Sequence, residues 1–317
     1  MQVLLVHAGH HLGVSIPGFI EHFPGVPAFF FVSGFLIYAS YHNSPGFRYF
    51  QNRALRIFPG LIFVTFGSFS LVVFLKGLPF IQLHAFECVV WFLAQITIGQ
   101  FYNPAIFKDI GVGVINGALW TITTEILFYF IIPIIVVIEK RLKHIALLLT
   151  IFSFTIYAFG PSIFTQFVYR EKTIYDIFAI TPIAWGWMFG IGILSCKYFD
   201  HIKKFTPFLF CAAFPMIGFI LIGDGILLNP SGNRLGILYF LCYVSVLLWV
   251  AFSLPAIKMN FDLSYGLYIW HMPVINFLIC ISLKNFLMAA VLTLFLSIIS
   301  WYLVERPFLK LKRKSLR

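Results

Sequence analysis

Phe286 to Val304 reads FLMAAVLTLFLSIISWYLV, nineteen consecutive residues without a charge. Such a run decides the fold class, because about 20 apolar residues rising 1.5 Å each cross the roughly 30 Å hydrocarbon layer of a bilayer. It is not alone: LIFVTFGSFSLVVFL begins at Leu61, and residues 117–138 contain LFYFIIPIIVVI. Hydrocarbon leaves the backbone two solutions, helices or closed barrels. Barrel strands alternate over about ten residues, whereas these runs are continuous. The chain therefore reads as all-α, a polytopic transmembrane helical bundle.

Composition agrees. Of 317 residues, 61% are hydrophobic and 10% charged, against roughly 25% charged in soluble domains, which excludes a water-soluble globule. The net charge of +11 does not mark a nucleic-acid partner, because the basic residues form short clusters between the apolar runs, as cytoplasmic loops do. Cys88, Cys196, Cys211, Cys242 and Cys280 stand singly in apolar context. Without metal-type spacing they read as packing residues, and no metal is expected. Met1 is followed by neither a basic segment nor a small-residue cleavage site, so no cleavable signal is expected.

The basic clusters are FRYFQNRALR (47–56), EKRLKH (139–144), KYFDHIKK (197–204) and KLKRKSLR (310–317). Placing all four in the cytoplasm requires an even number of crossings between each pair. Spans are expected near 1–20, 25–41, 57–78, 117–138, 145–160, 177–196, 205–223, 235–255, 264–283 and 286–304. The run 86–101 is the shortest and carries Glu87, Gln95 and Gln100, so it is read as re-entrant or interfacial. The expectation is about ten spans in one domain over 1–317, integral to the inner or plasma membrane, with both termini cytoplasmic.

Ionisable residues inside spans are costly and point to function. His7, His10 and His11 lie at i, i+3 and i+4 on one helical face. A neutral imidazole suits a general base near pH 7; His7 is the deeper residue and the candidate base, while His10 and His11 read as interfacial. Arg53 and Arg56 share a face just before the bilayer, where paired guanidiniums suit phosphates or simply lipid headgroups and topology. Thr121, Glu125, Tyr129 and Pro133 recur every four residues, a polar stripe that must look into the bundle. Glu125 is placed to orient a histidine, pair with an arginine, bind a hydroxyl or serve a structural ion pair. A second stripe aligns Ser264, Tyr268 and His271, with His271 either inward or interfacial beside Trp270.

Five segments occur in a telling order: GVPAFFFVSGFLI (25–37), RALRIFP (53–59), LW (119–120) followed by Glu125 and FY, SYGLYIWHMP (264–273) and WYLVERPFLK (301–310). Their order and spacing resemble the membrane-bound acyltransferase family 3 over nearly the whole chain. Each motif alone is weak; five in register are specific. The resemblance implies transfer of an acyl group, most often acetyl, from acyl-coenzyme A to a sugar hydroxyl. The acceptors it implies are cell-surface or lipid-linked carbohydrates such as O-antigen or exopolysaccharide.

Residue by residue, the resemblance carries the first-helix histidine to His7, the loop arginines that bind coenzyme A to Arg53 and Arg56, and the glutamate of the tryptophan-containing helix to Glu125. It carries the late histidine to His271 and the glutamate before the terminal proline to Glu305, with Trp120 and Tyr129 as substrate-binding or orienting neighbours. His7 and Glu125 are thus the expected catalytic pair. Two departures accompany it. An arginine about eleven residues before the first-helix histidine would fall upstream of Met1, so the first helix is expected to be incomplete, and the family's GVD reads Gly25, Val26, Pro27 here. No appended soluble domain is expected. A transporter or flippase of lipid-linked glycan, with the stripes lining a path, and an inactive truncated homologue are the alternative readings.

Overall fold

The computed structural model describes residues 2–164, 166–169, 172–255 and 260–312; the last five residues of the basic tail lie outside them. The helices are α1 (Gln2–Leu12), α2 (Gly25–Asn43), α3 (Phe47–Leu83), α4 (Ala85–Gln95), α5 (Trp120–Glu139), α6 (Ile145–Phe164), α7 (Ile174–Phe178), α8 (Pro182–Lys197), α9 (Phe199–Ile202), α10 (Ala213–Ile222), α11 (Gly225–Leu228), α12 (Ile237–Ser253), α13 (Ser264–Cys280), α14 (Phe286–Ser300) and α15 (Arg306–Lys310). The strands among the described residues are a two-residue antiparallel ladder, Val168–Tyr169 with Lys172–Thr173. Five stretches, Gly18–Asn43, Phe47–Leu83, Gly117–Glu139, Ile145–Phe164 and Phe286–Lys310, are long and apolar enough to cross a membrane.

Local chemistry explains where elements depart from the hydropathy. The first helix stops at Leu12 rather than near residue 20, because Gly13 takes φ 67° and lets Val14 N–H bond back to the Gly9 carbonyl at 3.0 Å. Only glycine adopts that left-handed conformation at little cost. α3 begins ten residues before the apolar run expected at 57, since FRYFQNRALR continues the same helix. It breaks at Gly77 (φ 79°), two residues ahead of Pro79, which has no N–H to donate. α8 starts at Pro182, capped by the Thr181 hydroxyl accepting from Ile183 N–H. α4 has eleven residues, about 16 Å of helix, too short to cross on its own. The expected span at 205–223 is a 3₁₀ segment, Thr206–Ala212, running into α10.

Apolar helices gain little by burying apolar side chains away from lipid, so close backbone packing and internal hydrogen bonds hold them together. α8 lies between α2 and α6. A Cβ on Gly34 would run into the Phe189 carbonyl, one on Gly192 into the Phe31 carbonyl, and one on Gly190 into the Thr150 hydroxyl. Gly34→Ala is therefore expected to force α2 from α8 and destabilise the protein by about 1–3 kcal/mol, read as a lower thermal midpoint in detergent.

α13 is flanked by α1, α3 and α14. Gly60 and Gly67 of α3 leave room for the rings of Tyr265 and Trp270, and the Tyr265 hydroxyl donates to the Ile57 carbonyl at 2.9 Å. The long connection before α5 is pinned to α13 by buried Asn276. Its amide donates to the carbonyls of Val114 (2.8 Å) and Ile115 (2.9 Å) and accepts from Val112 N–H (2.8 Å). Asn116 in turn donates to the Ile269 carbonyl at 2.8 Å.

Among the described residues the basic clusters gather at one end of the bundle. Glu139 accepts from Tyr38 and Lys197, each at 2.8 Å, and Lys197 also reaches the Lys143 carbonyl at 2.8 Å, which joins the ends of α2, α5, α6 and α8. At the same end Arg56 of α3 pairs with Asp262, just before α13, at 2.7 Å.

Candidate active site

Two cavities share a wall made by Gln2, Val3, Val26 and Tyr268. The larger, about 550 Å³, runs to the basic end, where Arg53, Arg56, Glu125, Asp262 and Ser264 line it. The smaller, about 280 Å³, lies toward the opposite end and holds His7, His10, Glu21, Trp120 and Asn233.

His7 is positioned by a relay. His271, wholly buried, lies with Nδ1 2.5 Å from the Tyr268 carbonyl oxygen and Nε2 2.9 Å from His7 Nδ1. A carbonyl only accepts, so His271 Nδ1 carries hydrogen. A buried imidazole without a carboxylate beside it is neutral, so its Nε2 holds a lone pair. His7 must then donate through Nδ1, which leaves His7 Nε2 as a bare lone pair, the tautomer being assigned from the hydrogen bonds. A base whose second nitrogen is oriented by another group is the arrangement general-base catalysis requires. His10 is exposed and His11 half-buried; their rings are 6.1 Å apart.

The structure brings His271 to His7 but not Glu125, Tyr129 or Glu305. Glu125 faces the larger cavity and accepts from the Tyr129 hydroxyl at 2.6 Å. Arg53 stands over the Tyr129 ring, 5.6 Å from its centre, and over Tyr49 at 6.0 Å. Glu125 thus belongs with the arginines. Glu305 lines neither cavity. It is buried, accepts from the Ser300 hydroxyl at 2.7 Å and packs behind Gly60 and Gly266. It sits at the end of a π turn, Trp301–Glu305; Pro307, which cannot donate a helical hydrogen bond, follows two residues later. Trp120 lines the smaller cavity with its ring 5.4 Å from Trp185.

Arg56 is fixed by Asp262, whose Oδ1 also accepts from the Ser264 hydroxyl at 2.5 Å and its N–H at 3.1 Å. Burial pushes the Asp262 carboxyl up, yet the Ser264 hydroxyl and Arg56 outweigh burial and hold it below the usual range. Lys312 joins the same end, its amine pushed down to about 8 by burial and by the charges of Arg56 and Arg53. Crowded cations of this kind favour an anionic ligand such as a phosphate. Asp262 and Gln2 are site-building residues that sequence reasoning did not single out, while Tyr268, aligned with Ser264 and His271 in the second polar stripe, forms part of the wall the two cavities share. Gln2 ties α1 to the start of α2 by accepting from Gly25 N–H at 2.8 Å, while Tyr268 hydrogen-bonds Thr121 at 2.6 Å and the Ala118 carbonyl at 2.8 Å. An Asp two residues before a helix-opening Ser was the available signal for the first; for Gln2 a single polar residue in an apolar run offered none. No group of three or more His, Cys, Asp or Glu among the described residues is placed to hold a metal ion.

No solved structure matches the chain. Among curated proteins it is similar to nodulation protein 10 of Rhizobium leguminosarum bv. viciae, 28% identical with 98% of this chain and 90% of that protein covered. It is also similar to the O-acetyl transferase of Shigella phage Sf6, 26% identical with 98% and 93% covered. The acyltransferase 3 family model, described as an acyltransferase domain, matches residues 3–306. A model spanning that much of a helical membrane protein shows the family: the chain belongs to the membrane-bound acyltransferase 3 family and is an acyltransferase.

Proposed function

We propose that the protein transfers an acetyl group from acetyl-coenzyme A to a hydroxyl of a cell-surface or lipid-linked carbohydrate, with His7 as general base. The observation that carries this reading is the His271–His7 relay, which leaves one bare nitrogen at the smaller cavity, beside a wall shared with a cavity that ends in arginines. The name of the phage relative supports acetyl and an oxygen acceptor.

In this reading Arg53 and Arg56 bind the donor's phosphates from the cytoplasm, and Glu125 with Tyr129 holds the arginine end in shape. His7 Nε2 takes the proton of the acceptor hydroxyl as its oxygen attacks the thioester carbonyl. The carbon–sulfur bond then breaks, and the proton passes from His7 to the departing thiolate. His271, accepting from His7 Nδ1, keeps the ring aimed and stabilises the imidazolium that forms. We infer a multi-pass arrangement in the inner or plasma membrane, crossed by α2, α3, α5, α6, α8, the Thr206–Ile222 segment, α12, α13 and α14 and with the basic end of the bundle cytoplasmic, while α1 and α4, eleven residues each, are too short to cross on their own.

The test is movement of labelled acetyl from acetyl-coenzyme A to glycan by the purified protein. His271→Ala is expected to lower kcat by roughly 100-fold, the scale of a misplaced catalytic group, with donor binding unchanged. His271→Gln, which keeps an acceptor for His7 Nδ1, recovers part of that loss. Hydrolysis of the donor with no label reaching any hydroxyl acceptor would contradict the proposal.

A further inference from the structure

The smaller cavity has a side that the proton transfer does not use. It is closed by two outer segments, the 3₁₀ turn Gly18–His22 and the loop between α11 and α12. They are joined: His22 Nδ1 lies 3.2 Å from the Pro230 carbonyl, and the Tyr239 hydroxyl donates to the His22 carbonyl at 2.6 Å. The loop is shaped from within by Asn229, whose amide donates to the carbonyls of Ser231 (3.2 Å) and Arg234 (2.6 Å), and by Gly232 at φ 68°. Its one cation is turned away. Arg234 donates to the Tyr157 carbonyl at 3.1 Å and lies over the rings of Tyr157 and Tyr175.

What this side presents to the cavity is Glu21 and Asn233, both exposed, with the Trp120 ring on another wall. The Trp120 ring is braced 6.2 Å from Phe30 and 5.4 Å from Trp185. Among the described residues no lysine or arginine lines this space. A carboxylate and a carboxamide lining one cavity complement the donors and acceptors of a polyhydroxylated ligand, and a braced indole suits the C–H face of a sugar ring. The carboxylate also repels an acidic ligand, since like charges brought together at a binding surface are costly.

We propose that the smaller cavity is the subsite for an uncharged sugar, whose hydroxyls are held by Glu21 and Asn233, and that Glu21 excludes acidic sugars. This rests on acyl transfer to carbohydrate and adds the class of sugar and the residues that select it. The experiment measures acetyl transfer from labelled acetyl-coenzyme A by the purified full chain to methyl hexosides and to the matching methyl hexuronides. The hexosides are expected to win by about 10-fold or more in kcat/KM, a difference of about 1.4 kcal/mol. Glu21→Lys, on an exposed turn where folding is not at stake, reverses that order, and Asn233→Ala raises the hexoside KM with kcat unchanged. Equal use of both sugar classes by the unmodified protein, or an unchanged ratio in Glu21→Lys, overturns the subsite. Failure of every sugar to accept acetyl, with acetyl-coenzyme A still bound, sinks the carbohydrate reading itself and this one with it.

Discussion

His7→Ala protein is expected to acylate roughly 100- to 10,000-fold more slowly than the unmodified chain, the usual cost of removing a positioned base, while still inserting and binding the donor. The imidazole is half-buried, and its fixed partner is His271 at 2.9 Å, so the fold does not depend on it as it does on the glycine contacts. The same experiment separates direct transfer from a covalent route. With His7 as a base, free coenzyme A appears only when an acceptor is present. A burst of free coenzyme A without acceptor would instead mean that an acyl-enzyme forms. Full-rate transfer by folded His7→Ala would end the assignment.

Replacing Arg53 and Arg56 together by alanine is expected to abolish measurable binding of acetyl-coenzyme A. Charge-assisted hydrogen bonds contribute about 1.5–3 kcal/mol each, so loss of either arginine is expected to weaken binding by about 10- to 100-fold. The two are not equivalent in their surroundings. Arg56 is anchored by Asp262 at 2.7 Å, whereas Arg53 is positioned over the rings of Tyr49 and Tyr129. Lysine at position 56 keeps the charge but not the planar fork that answers Asp262 and a phosphate together, so Arg56→Lys is expected to restore only part of the affinity. Equilibrium binding of labelled acetyl-coenzyme A to the detergent-solubilised protein reads both effects. Unaltered binding in the double variant would move the donor site elsewhere.

Much of this was legible in the sequence, for identifiable reasons. Helix against barrel follows from the uninterrupted run 286–304, and the family from motifs whose order is itself the signal. The described members of the basic clusters that hydropathy leaves between spans, Arg53, Arg56, Lys197 and Lys312 among them, do lie together at one end. Helix ends were less legible, because they depend on single residues: Gly13 halts α1 at Leu12, and the amphipathic 47–56 segment carries on into α3 although its composition resembles a loop. At the site, periodicity placed Glu125 and Tyr129 on one face, and they do hydrogen-bond. It could not say which cavity Glu125 faces. The pairing of His7 with His271 spans 264 residues, and no local pattern encodes a contact between α1 and α13. Asp262 was missed because its role exists only once α3 lies beside the start of α13.

In the proposed mechanism donor and acceptor enter from opposite ends and meet at the wall formed by Gln2, Val3, Val26 and Tyr268, beside His7. The most direct measurement uses sealed vesicles carrying the protein in one orientation, with acetyl-coenzyme A supplied only at the Arg53 and Arg56 face and a sugar acceptor only at the other. Acetylated sugar is expected to accumulate on the acceptor side while coenzyme A stays where it was added. Transfer that occurs only when both substrates share one face would contradict it.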